Sequence, residues 1–252
     1  VFLVPLLAGL AVATVGAAPA FGVNALALLG SVATLSCIRQ APRPRSEKKG
    51  TSPGALSYLR ESIAAARRDT PTWLTLFMAV VFCFGFFGAT FVGLPALAKL
   101  TLRAGDTGVG LLLGARGIGA LAGSVIAGSV TIRRSGFVGC LTILGLGVAL
   151  AGGAAAPSLL LAIPCQALAG GFTTALAVIF TTLLQTRAPE RQRGGIMALQ
   201  SLAIFGVTPL GYALAGVIGA MLSPRGLLAV GALSITISGV MGLASRQMRE
   251  AE

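Results

Sequence analysis

The sequence contains no histidine. That removes the imidazole as general base, proton shuttle or metal ligand. Charge is scarce as well: Asp, Glu, Lys and Arg make up 10% of the residues, against about a quarter in a soluble domain. Only seven residues are acidic, and each falls in a loop, at an interface or in the tail. Proton coupling through a membrane carboxylate therefore cannot be placed in this chain. Four cysteines, Cys37, Cys83, Cys140 and Cys165, lie singly inside apolar runs. They show no metal-binding spacing and read as small buried apolar residues. No Gly-rich run ends in Lys-Ser or Lys-Thr, so ATP-driven transport through a P-loop is not expected. A membrane enzyme would need clustered His, Asp or Glu near a membrane face, and the chain offers none. The expectation is a non-enzyme with no cofactor and no metal.

What is present is apolar. Hydrophobic residues form 55% of 252, and mean hydropathy is +0.90. Such a chain has too little polar surface for a soluble globule, so its solvent is the lipid bilayer. The net charge of +12 does not point to nucleic acid. The basic residues sit in short clusters between apolar runs, as expected of charges that orient a protein in a membrane.

About 20 apolar residues cross a hydrocarbon core of about 30 Å. Eight runs qualify, the first shortened: 1–15, 19–38, 72–98, 107–132, 137–155, 158–184, 195–220 and 226–245. They are continuous rather than alternating, which selects helices over barrel strands. The segment from Ile38 to Pro71 holds eight Lys or Arg: Arg39, Arg43, Arg45, Lys48, Lys49, Arg60, Arg67 and Arg68. Assigning loops alternately puts 15 basic residues on one side and 3 on the other, with Arg116 left inside a span. This asymmetry places the long loop and the C-terminus in the cytoplasm. Within that loop, Ala41–Pro53 reads as a flexible linker. Gly54–Asp69 reads as an amphipathic helix lying on the membrane surface, with Leu56, Leu59, Ile63 and Ala66 on one stripe.

The chain opens at Val1 inside an apolar run, with neither an initiator Met nor a basic leader, so further residues are expected upstream. A shift of 207 residues aligns Gly9–Gln40 with Gly216–Gln247, with eight of 32 positions identical. Each segment is a helix pair returning to a cytoplasmic Arg-Gln, and six spans complete the period. That describes a parallel repeat. Two spans would then belong to a first half and six to a second, leaving about four spans upstream.

Three stretches carry a family resemblance. The first runs from Tyr58-Leu59-Arg60 to Arg67-Arg68-Asp69-Thr70-Pro71. The second is Gly110-Leu111-Leu112-Leu113-Gly114-Ala115-Arg116-Gly117-Ile118-Gly119-Ala120-Leu121-Ala122-Gly123. The third is Gln185-Thr186-Arg187-Ala188-Pro189-Glu190-Arg191-Gln192-Arg193-Gly194, followed by Thr208-Pro209-Leu210-Gly211 and Ala215-Gly216. They resemble the lead-in to the seventh helix, the eighth helix, and the approach to the eleventh helix with that helix itself, of major facilitator superfamily transporters. The drug and siderophore exporters of bacteria are the most similar. Two loops depart from the pattern. Gly128-Ser129-Val130-Thr131-Ile132-Arg133-Arg134-Ser135-Gly136 lacks the usual acid, and Gly194-Gly195 stands for Gly-Arg.

The resemblance implies an all-α membrane protein with eight transmembrane helices, equivalent to helices 5–12 of that fold. It divides the chain into 1–38, the last two helices of the N-terminal half; 39–71, a cytoplasmic linker; and 72–252, the C-terminal six-helix half. It implies a secondary transporter in the plasma (inner) membrane, exporting a small amphipathic molecule by alternating access, with a coupling ion as a candidate partner. The missing N-terminal helices would be needed for a full transporter. A non-transporting fragment or scaffold is the alternative.

Arg116 is the sharpest candidate. A charge about 13 Å from the end of its span must face the protein interior or a wet cavity. It could bind an anionic substrate group or lock one conformation, or simply donate to carbonyls of a neighbouring helix. Other cavity candidates are Gln166, Thr173 and Thr181 on one face, Ser201, Thr208 and Tyr212 on another, and Phe82, Phe86 and Asn24. Gly110, Gly114, Gly119, Gly123 and Gly128 thread one span, and Gly206, Gly211 and Gly216 another. They suit helices that pack tightly and rock. Pro95, Pro164 and Pro209 are expected to bend their helices.

Overall fold

The computed structural model describes residues 17–37, 55–129, 134–190 and 192–249. The first apolar run, the linker at Ala41–Pro53 and the arginines at 133 and 191 lie outside the described residues. Among the described residues the protein is helical and contains no strand. α1 is Ala17–Cys37 and α2 is Ala55–Arg68. Six helices long and apolar enough to cross a membrane follow. They are α3 (Thr70–Thr101), α4 (Gly105–Ser129), α5 (Ser135–Ala155), α6 (Leu159–Arg187), α7 (Arg193–Met221) and α8 (Pro224–Ala244). A last turn, α9 (Arg246–Arg249), closes the described chain.

Each start has a local cause. Asp69 caps α3, its carboxylate accepting from the Thr72 N–H at 3.1 Å, with Pro71 in the first turn. Proline there loses nothing, because the first N–H groups have no helical partner. Ser223 caps α8 in the same way, accepting from the Gly226 N–H at 3.2 Å, again beside a proline, Pro224.

Proline inside a helix removes a hydrogen bond and crowds the carbonyl four residues back. In α3 the chain answers by widening to π-helical turns on both sides of Pro95, at Ala89–Gly93 and Leu97–Thr101. The Leu102 N–H then donates to the Leu97 carbonyl at 2.9 Å. In α7 a π turn at Leu202–Gly206 precedes Thr208-Pro209, and the Thr208 hydroxyl takes up the Ile204 carbonyl. α6 instead continues as a single helix through Pro164.

The helices pack in series: α4 lies along α6, α6 along α5, α5 along α8 and α8 along α3, and α7 packs against α3. The main core fills the space between α3, α5, α6 and α8, around Met78, Ile143, Leu146, Leu150, Leu183 and Ile235. α2 does not rest only on lipid. Ala66 is fully buried against Leu76, Leu184, Ala188 and Ile196, so the helix docks on the bundle end where α3 starts and α6 finishes. Ser62 is buried with it, while Leu59 and Ile63 are only half-buried. The docked edge therefore lies to one side of the expected apolar stripe.

Candidate functional site

The site is built where α3, α4 and α6 meet. The α4–α6 contact is set by glycine: a Cβ at Gly119 would overlap the Ala167 carbonyl, and one at Gly123 would overlap the backbone of Gly171. From the other helix, a Cβ at Gly170 would overlap the carbonyl of Arg116 itself. This close approach brings α6 side chains to the Arg116 guanidinium. Its Nη1 donates to Gln166 Oε1 at 3.0 Å, and Nη2 makes a long contact of 3.5 Å to Thr173 Oγ1. Gln166 and Thr173 are seven residues apart, two turns of one face. The Thr173 hydroxyl itself donates to the Ala169 carbonyl at 2.7 Å, so its oxygen is turned to accept from the arginine.

From α3, the Phe86 ring lies under the guanidinium, with Cζ 4.7 Å from the ring centroid. A cation over an aromatic face is favourable by about 0.5–2 kcal/mol, more when desolvated. Gln166 is 0% exposed. Because arginine only donates, the glutamine must present its oxygen to Arg116, which turns Nε2 towards Gly153 and leaves it without a protein partner. Every contact of the guanidinium described here is neutral. Among the described residues no group of three His, Cys, Asp or Glu could hold a metal ion.

Aromatic rings lead away from this point. Phe82 stacks on Phe86 at 4.7 Å between centroids, and Phe87 meets Phe86 edge-on at 5.4 Å. Phe91 stacks on Phe87 at 5.9 Å, and Tyr212 of α7 meets Phe87 at 6.1 Å and Phe91 at 6.0 Å. Of the sequence-based candidates, Arg116, Gln166, Thr173, Phe82 and Phe86 thus come together, and Tyr212 joins them through Phe87. Thr181 does not: its hydroxyl accepts from Gln200 of α7 at 3.2 Å. Ser201 is exposed, and Thr208 is occupied with its own helix. Asn24 lies on α1, where its side chain is outside the described residues.

The glycines divide in the same way. Gly211 faces the Cys83 carbonyl, with 3.3 Å available to a Cβ, and Gly206 meets only Leu202 of its own helix. Gly110, Gly128 and Gly216 face open space, and Gly114 is half-buried. Close approaches absent from the expected set occur at Gly170, and at Gly85 against Gly231, where α3 meets α8. Sequence reasoning also missed Phe87 and Phe91, although their spacing from Phe82 and Phe86 was a usable signal.

At the end of the bundle where α3 starts and α6 finishes, Arg187 pairs with Asp69 beside a cleft of about 270 Å³ that also takes in Arg68, Thr72 and Gln192. Nearby, the Arg67 guanidinium lies 4.9 Å over the Trp73 ring. A separate, open apolar groove lies between α5 and α8, lined largely by alanines with Arg225 and Thr236.

The profile of a family described as transmembrane secretion effector matches residues 3–252. The chain belongs to this family of the major facilitator superfamily. It is accordingly a multi-pass, all-α membrane protein of a transporter family. The curated relatives include proteins named enterobactin exporter EntS. The one from Shigella flexneri is 26% identical over 238 residues, covering 94% of this chain and 55% of the relative. The one from Citrobacter koseri is 27% identical over 242 residues, covering 94% and 56%. The chain therefore spans about half the length of the curated relatives it matches. No solved structure matches it.

Proposed function

We propose that this chain supplies the C-terminal six-helix half, residues 72–252, of a secondary transporter, together with the cytoplasmic linker 39–71 and two helices of the first half. The transporter exports a small amphipathic molecule by alternating access, with the C-terminus in the cytoplasm. One observation carries this assignment. Arg116 is held deep in the bundle by Gln166, Thr173 and Phe86 at the junction of three helices, beside an aromatic strip. A mostly apolar surface with a few converging polar groups suits a drug-like or siderophore-like ligand. The names of the exporter relatives agree with that direction of transport. No catalytic role is assigned to any residue. A coupling ion, if used, needs a carboxylate from outside the spans of this chain.

The test uses the full-length protein in a host stripped of background efflux. Cells loaded with fluorescent amphipathic dyes should retain less dye when the protein is present. Arg116→Ala, at equal abundance in the membrane, should restore retention towards that of cells without the protein. Unchanged retention across a broad dye panel with the unaltered protein would contradict export.

A further inference from the structure

Arg116 is the one ionised side chain in the interior of a described span. The other charges within spans, Lys99, Asp106, Arg187, Arg193 and Arg225, all sit in a first or last turn. A guanidinium in the bilayer interior is costly to insert, and buried charges are normally paired. Arg116 is oriented but not neutralised. Gln166 Oε1, Thr173 Oγ1 and the Phe86 ring hold it in place, and none of them carries charge. Two of its five N–H donors are used by these contacts. The arrangement is that of a fixed cation with donors to spare, rather than of an ion pair.

The neighbourhood describes the rest of the ligand. Phe82, Phe86, Phe87 and Phe91 extend about 13 Å along α3 at 1.5 Å per residue, and Tyr212 widens the strip from α7. Its far end is open: Phe91 is 54% exposed and Tyr212 37%. We propose that this site takes an organic anion with a flat aromatic body. Its carboxylate, sulfonate or phenolate accepts from Arg116, and its rings lie against Phe87, Phe91 and Tyr212. This rests on the export assignment for its physiological meaning, but binding can be tested without transport.

The probes are 1-naphthoate and 1-naphthamide, which share a ring system and differ in charge. Equilibrium binding is measured with the purified full-length protein. The unaltered protein should prefer naphthoate by at least about tenfold, the scale of one charge-assisted hydrogen bond. Arg116→Gln should abolish that preference while changing naphthamide binding by less than about twofold, and Arg116→Lys should keep part of it. No preference in the unaltered protein would overturn the proposal without requiring any variant to fold. So would an equal loss of both probes in Arg116→Gln, the signature of an arginine that locks a conformation. Dye export that persists with no charge preference would sink the anion site alone. Charge-selective binding without dye export would keep the site and remove the export assignment.

Discussion

Arg187 grips both carboxylate oxygens of Asp69, with Nε 3.1 Å from Oδ2 and Nη2 3.1 Å from Oδ1. The pair ties the start of α3 to the end of α6, 118 residues apart. Asp69 also caps α3, so two roles meet in one carboxylate. Asp69→Asn keeps an acceptor for the cap and loses the ion pair. It should lower stability by less than about 1 kcal/mol, because both side chains are about a third exposed and screened by water. Asp69→Ala loses the cap too and should cost about 1 kcal/mol more. Thermal unfolding of the two variants in detergent separates the roles, and equal losses would contradict this division.

The same carboxylate sets a pH dependence. Burial alone would raise its pKa. Hydrogen bonds from Arg187 and Thr72 and the charge of Arg187 outweigh burial and hold it below the ordinary 3.8. A group with a depressed folded-state pKa stabilises above its unfolded value and loses that contribution as pH falls through the folded one. The Asp69 contribution should therefore stay constant from about pH 5 to 8 and fall away only below about pH 4. Comparing melting temperatures of the unaltered protein and Asp69→Asn across this range isolates it. A difference that vanishes already at pH 6 would be incompatible with the pair.

Glycine positions that look alike in sequence should respond oppositely. Gly170→Ala pushes a Cβ into the carbonyl of Arg116, forcing α4 from α6. It should destabilise by about 1–3 kcal/mol and disturb the site. Gly110→Ala meets nothing within 4 Å, and relief of glycine's backbone entropy should leave stability equal or higher by up to about 1 kcal/mol. Unfolding curves and dye retention for the two variants provide the comparison.

Gln166 is the acceptor that orients Arg116. Gln166→Leu keeps the bulk and leaves a charged donor without its partner, which should cost about 1–3 kcal/mol. The same substitution also removes the unpartnered Nε2, which places the expected loss at the lower end of that range; a loss near zero would contradict an orienting role for Gln166. Pairing it with Arg116→Gln in a double-mutant cycle gives the coupling directly.

Six of the eight expected spans, those from residue 72 onward, were legible because continuous apolar runs leave the backbone no alternative in lipid. The run at 72–98 becomes Thr70–Thr101, lengthened where Asp69 caps the helix and where π turns carry it past Pro95. Arg116 was legible as a lone charge, and Gln166 and Thr173 through their two-turn spacing. Thr181 shares that periodicity but pairs with Gln200, because the neighbour on its side is α7 rather than α4. Helical spacing fixes which residues share a face and not which helix the face meets. The glycines show the same limit: Gly119 is closed by Ala167, while Gly110, on the same helix, faces open space. The Asp69–Arg187 tie joins distant loops, and no local pattern announced it.

Orientation is tested by reporter fusions. The excess of basic residues on one side predicts that alkaline phosphatase fused after Glu252 is inactive and that a fusion in the loop at Arg103 is active. The reverse pattern would invert the topology.

Alternating access around Arg116 is tested most directly by thiol labelling at Thr173, which faces the guanidinium. A full-length protein with its native cysteines replaced and Thr173→Cys introduced is treated with a membrane-impermeant maleimide, from outside in intact cells and from inside in inverted vesicles. The predicted result is labelling from both sides, with an exported compound slowing one rate and speeding the other. Labelling from one side only, or from neither side, with no response to any exported compound, would contradict a site that opens alternately.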